Sequence, residues 1–313
     1  MQVDSGLGRR QDGDAPVVLT IGSFDGVHRG HGALLDLVDS VARRLQAQTA
    51  LLTFDPHPRC VLDPAHCPQS LTTLSEKRDL LAARHLDRLV VLGFTREVSS
   101  WRAEQFCDML RTAFDLCALV VGHDFALGHR RQGDVAFLRD YGERHGFTVE
   151  QVGAVRAGEQ TVSSSRIRSL LAEGDVSGAA MLLGRELFMD ATVEHGDEVG
   201  RHLGYPTANL SIAPDKCLPA PGVYAMWLRV DGAWHPAATN VGYRPTFGGD
   251  RLTVEAFLLD FSGDLYGREV RAAFVERLRE ERAYASVDEL VGQIGRDVDQ
   301  VRSLLSTGSP PRL

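Results

Sequence analysis

The sequence predicts an α/β first half built on a parallel sheet, then a small antiparallel barrel and a terminal helix. Three observations carry this reading. Apolar β-branched runs alternate with helical segments from Val17 to Val152, an order that calls for parallel strands joined by right-handed crossovers. After about Gly184 the helical segments give way to paired strand signals, with Asp231-Gly232 as a tight hairpin turn. An amphipathic pattern returns at Val287–Leu305, opened by an S-x-x-E box at Ser286 and Glu289.

In order, Val17–Ile21 and Ala50–Phe54 read as buried strands with a helix, Leu34–Leu45, between them. Helices are expected over Ser75–His85, Trp101–Phe114 and Asp134–His145, and strands over Arg88–Leu92, Ala118–Val121 and Thr148–Val152. In the second half, strands are expected over Val223–Val230, Trp234–Val241, Leu252–Phe261 and Glu269–Glu276. Asn240–Phe247 and Asp264–Gly267 read as loops closing the barrel. The domain reading is a lead-in over 1–16, expected to be disordered, one domain over 17–183 and a second over 184–313.

A formal charge of −8 argues against a general nucleic-acid binder, while leaving room for small anionic ligands at a local site. No apolar run reaches the roughly 18–20 residues of a membrane span. The first sixteen residues lack the apolar core of a secretory signal. The five cysteines, Cys60, Cys67, Cys107, Cys117 and Cys217, are odd in number and irregular in spacing. They are expected to be free thiols in a reducing cytoplasm.

The chemistry gathers at a few motifs. GSFDGVHRGH, from Gly22 to His31, follows the first buried strand and opens a helix. Backbone N–H groups and the helix dipole favour an anion there. His28 and His31 share a face of the first turn, and Gly30 lets the backbone approach a phosphate. Asp55-Pro56-His57-Pro58 is a stiff turn without helix at the same sheet edge. Ser163-Ser164-Ser165-Arg166-Ile167-Arg168 caps a helix, but its two arginines oppose the dipole unless an anion sits nearby. In Gly200–Leu210, GRHLGYPTANL, the Thr207 hydroxyl and Asn209 carbonyl are hard oxygen donors suited to Mg²⁺, with Gly200 and Gly204 as a phosphate-facing flap. Glu255 stands mid-strand among apolar neighbours, either as an outward residue of an alternating strand or as a general base.

Read in order, GSFDGVHRGH, TFDPHP, SSSRIR, GRHLGYPTANL, GVY, NVGYRPTF, VEAFLLDF and DLYG resemble the prokaryotic bifunctional riboflavin kinase/FAD synthetases over roughly residues 17–305. The resemblance implies a Rossmann-like nucleotidyltransferase domain of the HxGH type and a six-stranded antiparallel barrel kinase domain with a terminal helix. It implies phosphorylation of riboflavin to FMN by the second domain and adenylyl transfer from ATP to FMN by the first, in the cytoplasm, with Mg²⁺.

By position, Gly22, Phe24, His28, Gly30, His31, Ser164 and Arg168 would bind ATP in the first domain, the two histidines stabilising the transition state. Pro56, His57, Pro58, Asp124 and Phe125 would lie at the flavin. In the kinase, Gly200, Gly204, Thr207 and Asn209 would hold ATP, Thr207 and Asn209 also the metal. Gly222, Tyr224 and Arg279 would contact riboflavin, and Glu255 would take its hydroxyl proton. The chain departs from the family at Ala126-Leu127, where an arginine and an aromatic are common, and at Phe257, where histidine is common. Competing expectations are a chain with one active module, an enzyme for a flavin analogue, a non-catalytic flavin sensor, and a nucleotidyltransferase of another small substrate.

Overall fold

The computed structural model describes residues 1–313 except 159, 197–199, 201–202, 247–248, 307 and 312–313, and the side chains of 244–246 and 249–251 are likewise left aside. The chain forms two compact units, residues 1–70 with 74–162, and residues 71–73 with 163–313.

In the first unit six strands make one parallel sheet. They are β1 (Gln2–Ser5), β2 (Val17–Ile21), β3 (Gln48–Asp55), β4 (Arg88–Gly93), β5 (Leu116–Gly122) and β6 (Thr148–Val152), in the order β1-β4-β3-β2-β5-β6. Helices α1 (Arg29–Leu45), α2 (Pro58–Leu62), α3 (Leu74–Ala82), α4 (Arg96–Ser100), α5 (Ala103–Ala113) and α6 (Val135–His145) connect them, and a small hairpin, β7 (Arg156–Ala157) with β8 (Gln160–Thr161), follows. All five residues of β2 are buried, as a central parallel strand covered on both faces requires. Val17, Leu19 and Ile21 pack with α5 and α6, whereas Val18 packs with α1 on the opposite face.

Three expectations are corrected here. The opening residues are not disordered throughout: Gln2–Ser5 pair in parallel with Arg88–Val91. This edge strand is short and polar, so no apolar run announced it. Helix α1 starts at Arg29 rather than Leu34, because the polar turn after its cap His28 is already helical though it adds nothing to the apolar stripe. Cys60 and Cys67 form a disulfide with Cα atoms 4.3 Å apart, because α2 and the turn after it fold the chain back on itself. Cys107, Cys117 and Cys217 remain thiols, and burial pushes the Cys107 thiol up to about 12.

The second unit begins with α7 (Ser164–Ala172) and α8 (Val176–Leu183). A closed barrel follows, made of β9 (Leu187–Glu194), β10 (Ala208–Ser211), β11 (Gly222–Val230), β12 (Ala233–Thr246), β13 (Gly249–Leu258) and β14 (Glu269–Arg279), in the order β10-β13-β12-β11-β14-β9. Asp231 and Gly232 both take positive φ, 49° and 86°, in the tight hairpin turn that joins β11 to β12. The stretch expected as a loop from Asn240 is strand as far as Thr246, paired with β13, while Phe247 lies outside the described residues. Gly242 and Pro245 disguised it as a turn.

Helix α9 (Val287–Ser306) ends the unit. The Glu289 amide donates to Ser286 Oγ at 3.2 Å, but the Glu289 carboxylate accepts from the Ala285 amide, not from that of Ser286. The capping box is therefore half made.

Candidate functional site

In the first sheet the strand order turns back at β2, with β3 on one side and β5 on the other. Open α/β sheets bind ligands beyond the carboxyl ends of their strands at such a point. The turn after β2 leads into the HRGH motif at the start of α1, the turn after β3 carries Pro56 and His57 and leads to Pro58 at the start of α2, and the loop after β5 carries Asp124 and Phe125.

His28 is the N-cap of α1, and its Nδ1 accepts the His31 amide proton at 3.3 Å. The neutral ring then carries its own proton on Nε2, as a donor. The His28 and His31 rings stack 3.7 Å apart at an interplanar angle of 10°, and Phe24 stacks on His31 at 4.6 Å. No acidic residue lies in the first turn of α1. A Cβ on Gly30 would sit 3.1 Å from the His28 ring, so glycine leaves that ring its place over the helix start. A Cβ on Gly22 would sit 3.2 Å from the Phe24 ring.

The chain reaches this arrangement through a strained turn. Phe24, Gly26 and Val27 take φ of 47°, 83° and 39°. A β-branched residue at positive φ is a true outlier, costing on the order of 1–3 kcal/mol.

The turn after β3 differs from its expectation. His57 is an N-cap whose Nδ1 accepts from the Arg59 amide at 3.2 Å, and Pro58 opens α2. Proline tolerates that first helical position, so the two prolines did not exclude a helix. After β5, Leu127 is buried in the core and bridges Gly133, so the departure from an aromatic there is a packing matter. Arg131, which sequence reasoning missed, donates to the Asp124 carbonyl and supplies the loop with a guanidinium that Ala126 lacks.

Ser163 caps α7, its Oγ accepting from the Arg166 amide at 3.2 Å. Ser164 and Arg168 follow within α7, which belongs to the second unit.

In the barrel, Asn209, Glu255 and Asn240 stand opposite one another on β10, β13 and β12. Cross-strand partners share a face. Their neighbours along the strands, Ala208, Ala256 and Thr239, are buried in the barrel core, so Asn209, Glu255 and Asn240 face outward. The outer wall is nevertheless covered. A cavity of about 670 Å³ lies between it, the 281–286 segment and α9, lined by Glu255, Asn240, Phe257, Arg279, Tyr284 and Asp297 among others. Glu255 is thus both an outward residue of an alternating strand and a carboxylate in a cavity.

A second cavity of about 490 Å³ is lined by Val193, Pro206, Phe261 and the Asp264–Tyr266 turn, among others. Among the described residues, Thr207 is the one that lines both cavities. Asn209 lines neither; a Cβ on Gly196 would sit 2.1 Å from its Nδ2, so the glycine makes room for that side chain. Gly200 closes a turn in which its carbonyl accepts from the Tyr205 amide at 2.8 Å, and Gly204 has φ of 85°, while Arg201 and His202 lie outside the described residues.

Arg279 is held by Asp297, which is 4% exposed and accepts from Arg279 Nε at 3.0 Å and Nη2 at 2.7 Å. Burial works against the guanidinium charge, but the bonds and charge of Asp297 raise its pKa above the ordinary value. The sequence had not singled out Asp297.

Tyr224 and Gly222 are not at the cavity. Tyr224 points into the barrel core, edge-on to Phe274 at 5.3 Å, with its hydroxyl donating to the Ala220 carbonyl. Burial pushes its phenol up to about 12, against a smaller opposing effect of Arg277. A Cβ on Gly222 would meet the Arg279 carbonyl at 2.6 Å, so this glycine serves strand packing. Tyr224→Phe is expected to cost about 1 kcal/mol in chemical denaturation by losing one buried hydrogen bond. It is expected to leave the KM of the barrel unit's substrate unchanged, and a raised KM would place the tyrosine at the ligand.

Residues 10–166 match the FAD synthetase family and residues 183–305 the riboflavin kinase family. The bifunctional riboflavin kinase/FMN adenylyltransferase of Pseudomonas fluorescens is 37% identical over 306 residues, 97% of this chain and 98% of that protein. Its namesake from Escherichia coli K12 is 36% identical, covering 94% of each chain. Among solved structures, one described as a macrolide-efflux protein from Streptococcus pneumoniae aligns with a TM-score of 0.89 at 29% identity, over 96% of this chain and 99% of that one. No helix among the described residues of the present chain is long and apolar enough to cross a membrane.

Proposed function

The chain belongs to the bifunctional riboflavin kinase/FMN adenylyltransferase family, and we propose which of its residues carry the two reactions. It phosphorylates riboflavin with ATP to give FMN, and it joins FMN to the AMP of a second ATP to give FAD and pyrophosphate.

The kinase reading rests on one observation: Thr207 borders both cavities of the barrel unit, and Glu255 lines the larger. ATP occupies the cavity beside the Asp264–Tyr266 turn with its γ-phosphate toward Thr207. Riboflavin occupies the cavity under α9, its ring system against Phe257 and Tyr284 and its ribityl chain toward Glu255. The Glu255 carboxylate accepts the 5′-hydroxyl proton as that oxygen bonds to the γ-phosphorus and ADP leaves. Phosphoryl transfer asks chiefly for positioning and charge neutralisation, so one base suffices. Arg279, braced by Asp297, closes the flavin end.

The Thr207 hydroxyl, a neutral oxygen that borders both cavities, fits Mg²⁺, whereas Asn209 lines neither cavity and would contribute its Oδ1 from beside them. A cation that keeps its waters and binds substrate phosphates suits such a site. When bound it would neutralise phosphate charge.

In the first unit, FMN lies along the loops after β3 and β5, near Pro56, His57, Pro58, Asp124 and Phe125. Its phosphate oxygen attacks the α-phosphorus of ATP and pyrophosphate leaves. His28 and His31 hold the phosphates and stabilise the charge that builds on them. Both reactions consume ATP, which supports a cytoplasmic location.

The test is to incubate the pure chain with riboflavin, ATP and Mg²⁺ and to separate the flavins. FMN should appear first and FAD second. Absence of both would overturn the reading, and FMN alone would support the one-module alternative.

A further inference from the structure

We propose that Lys77 is a positioning residue for adenylyl transfer, fixing the strained turn that presents His28 and His31. Lys77 lies on α3 and is 7% exposed. Its ammonium donates to the Ser23 carbonyl at 2.7 Å and approaches Thr53 Oγ1 at 3.5 Å. Thr53 Oγ1, fully buried at the end of β3, donates to the same Ser23 carbonyl at 3.1 Å. Two donors from separate elements therefore grip one carbonyl, immediately before Phe24, where φ turns positive.

Such a backbone persists only where its surroundings over-determine it. The turn it starts ends on His28, so a shift at Ser23 moves the imidazole stack. A buried ammonium is costly, and an apolar residue would fill a helix face at less cost. Burial lowers the pKa of Lys77, while the Asp25 and Asp55 carboxylates act to keep it charged. Asp25 lies in the turn that leads to HRGH and Asp55 ends β3, so the lysine ties that turn to the end of β3.

This proposal rests on the assignment of adenylyl transfer to the HRGH turn. Its test uses the full chain, in which riboflavin phosphorylation is an internal control. Lys77→Met should lower kcat for FAD formation from FMN by about 10–100-fold, the scale of a misplacement near 1 Å. KM for ATP and FMN should change far less, and riboflavin phosphorylation should persist. Thr53→Val should act in the same sense but more weakly. The double variant should lose less than the product of the two single losses, because both donors serve one carbonyl.

A lysine that merely stabilises the fold would lower the unfolding midpoint and leave kcat unchanged well below it, and that result overturns the proposal. Should Lys77→Met fail to fold, Thr53→Val decides, and an unchanged kcat there overturns it as well. His28→Ala run in parallel separates the two claims. If it leaves FAD formation intact, the site assignment fails; if it abolishes FAD formation while Lys77→Met does not slow it, the lysine proposal alone fails.

Discussion

Glu255→Ala abolishes riboflavin phosphorylation, by at least about 10²–10⁴-fold, the range that general-base removal produces, and leaves FAD formation from supplied FMN near the wild-type rate. The expectation follows from placement. Glu255 stands between Asn209 and Asn240 in the barrel wall and lines the cavity under α9. It is outside the barrel core, so the substitution opens no void among core side chains. Glu255→Gln sharpens the result. It keeps the shape and removes the basicity, and on this account it should be as inactive as the alanine variant. Separation of riboflavin, FMN and FAD after single additions of substrate reads both activities from one sample.

His28→Ala gives the reverse pattern. Loss of one preorganised donor to a developing phosphate charge costs about 10²–10³ in kcat, while riboflavin is still converted to FMN. Removing His28 also removes the cap on the first turn of α1 and one ring of the stack with His31. Part of the loss is therefore one of order at the helix start. His28→Asn, which retains a capping side chain, isolates the chemical part. If the asparagine variant recovered full FAD formation, the histidine would be a cap and nothing more.

The parallel sheet was legible because the central strands are short, mostly apolar runs, broken only by buried threonines such as Thr20 and Thr53, and such runs between helical segments have few other solutions. β2 was located to the residue. The barrel was legible from the Asp231-Gly232 turn and the paired runs around it. What the sequence left out has physical reasons. β1 is an edge strand with no apolar pattern. The Cys60–Cys67 disulfide depends on how α2 and the following turn bend the chain, which spacing alone does not express.

Glu255 shows a subtler limit. Alternation left it either outward-facing or a base, and the outer wall becomes a cavity because α9 and the segment before it lie against it. Lys77 was not singled out by the sequence, which marked only a helix over Ser75–His85, yet this lysine is buried and bonded to the turn that carries the histidines. Tyr224, placed at the flavin by resemblance, belongs to the barrel core, because its position on β11 alternates inward.

The central claim is that the two reactions use separate sets of residues, linked by FMN. Mixing Glu255→Ala protein with His28→Ala protein tests this most directly. Neither alone should convert riboflavin to FAD. Together, with ATP and Mg²⁺, they should do so through FMN released by one protein and taken up by the other. A mixture that makes FMN but no FAD, when the Glu255→Ala protein alone converts supplied FMN, would show that FMN does not pass between the sites. If each variant were folded and inactive in both reactions, the assignment of separate residues would be contradicted.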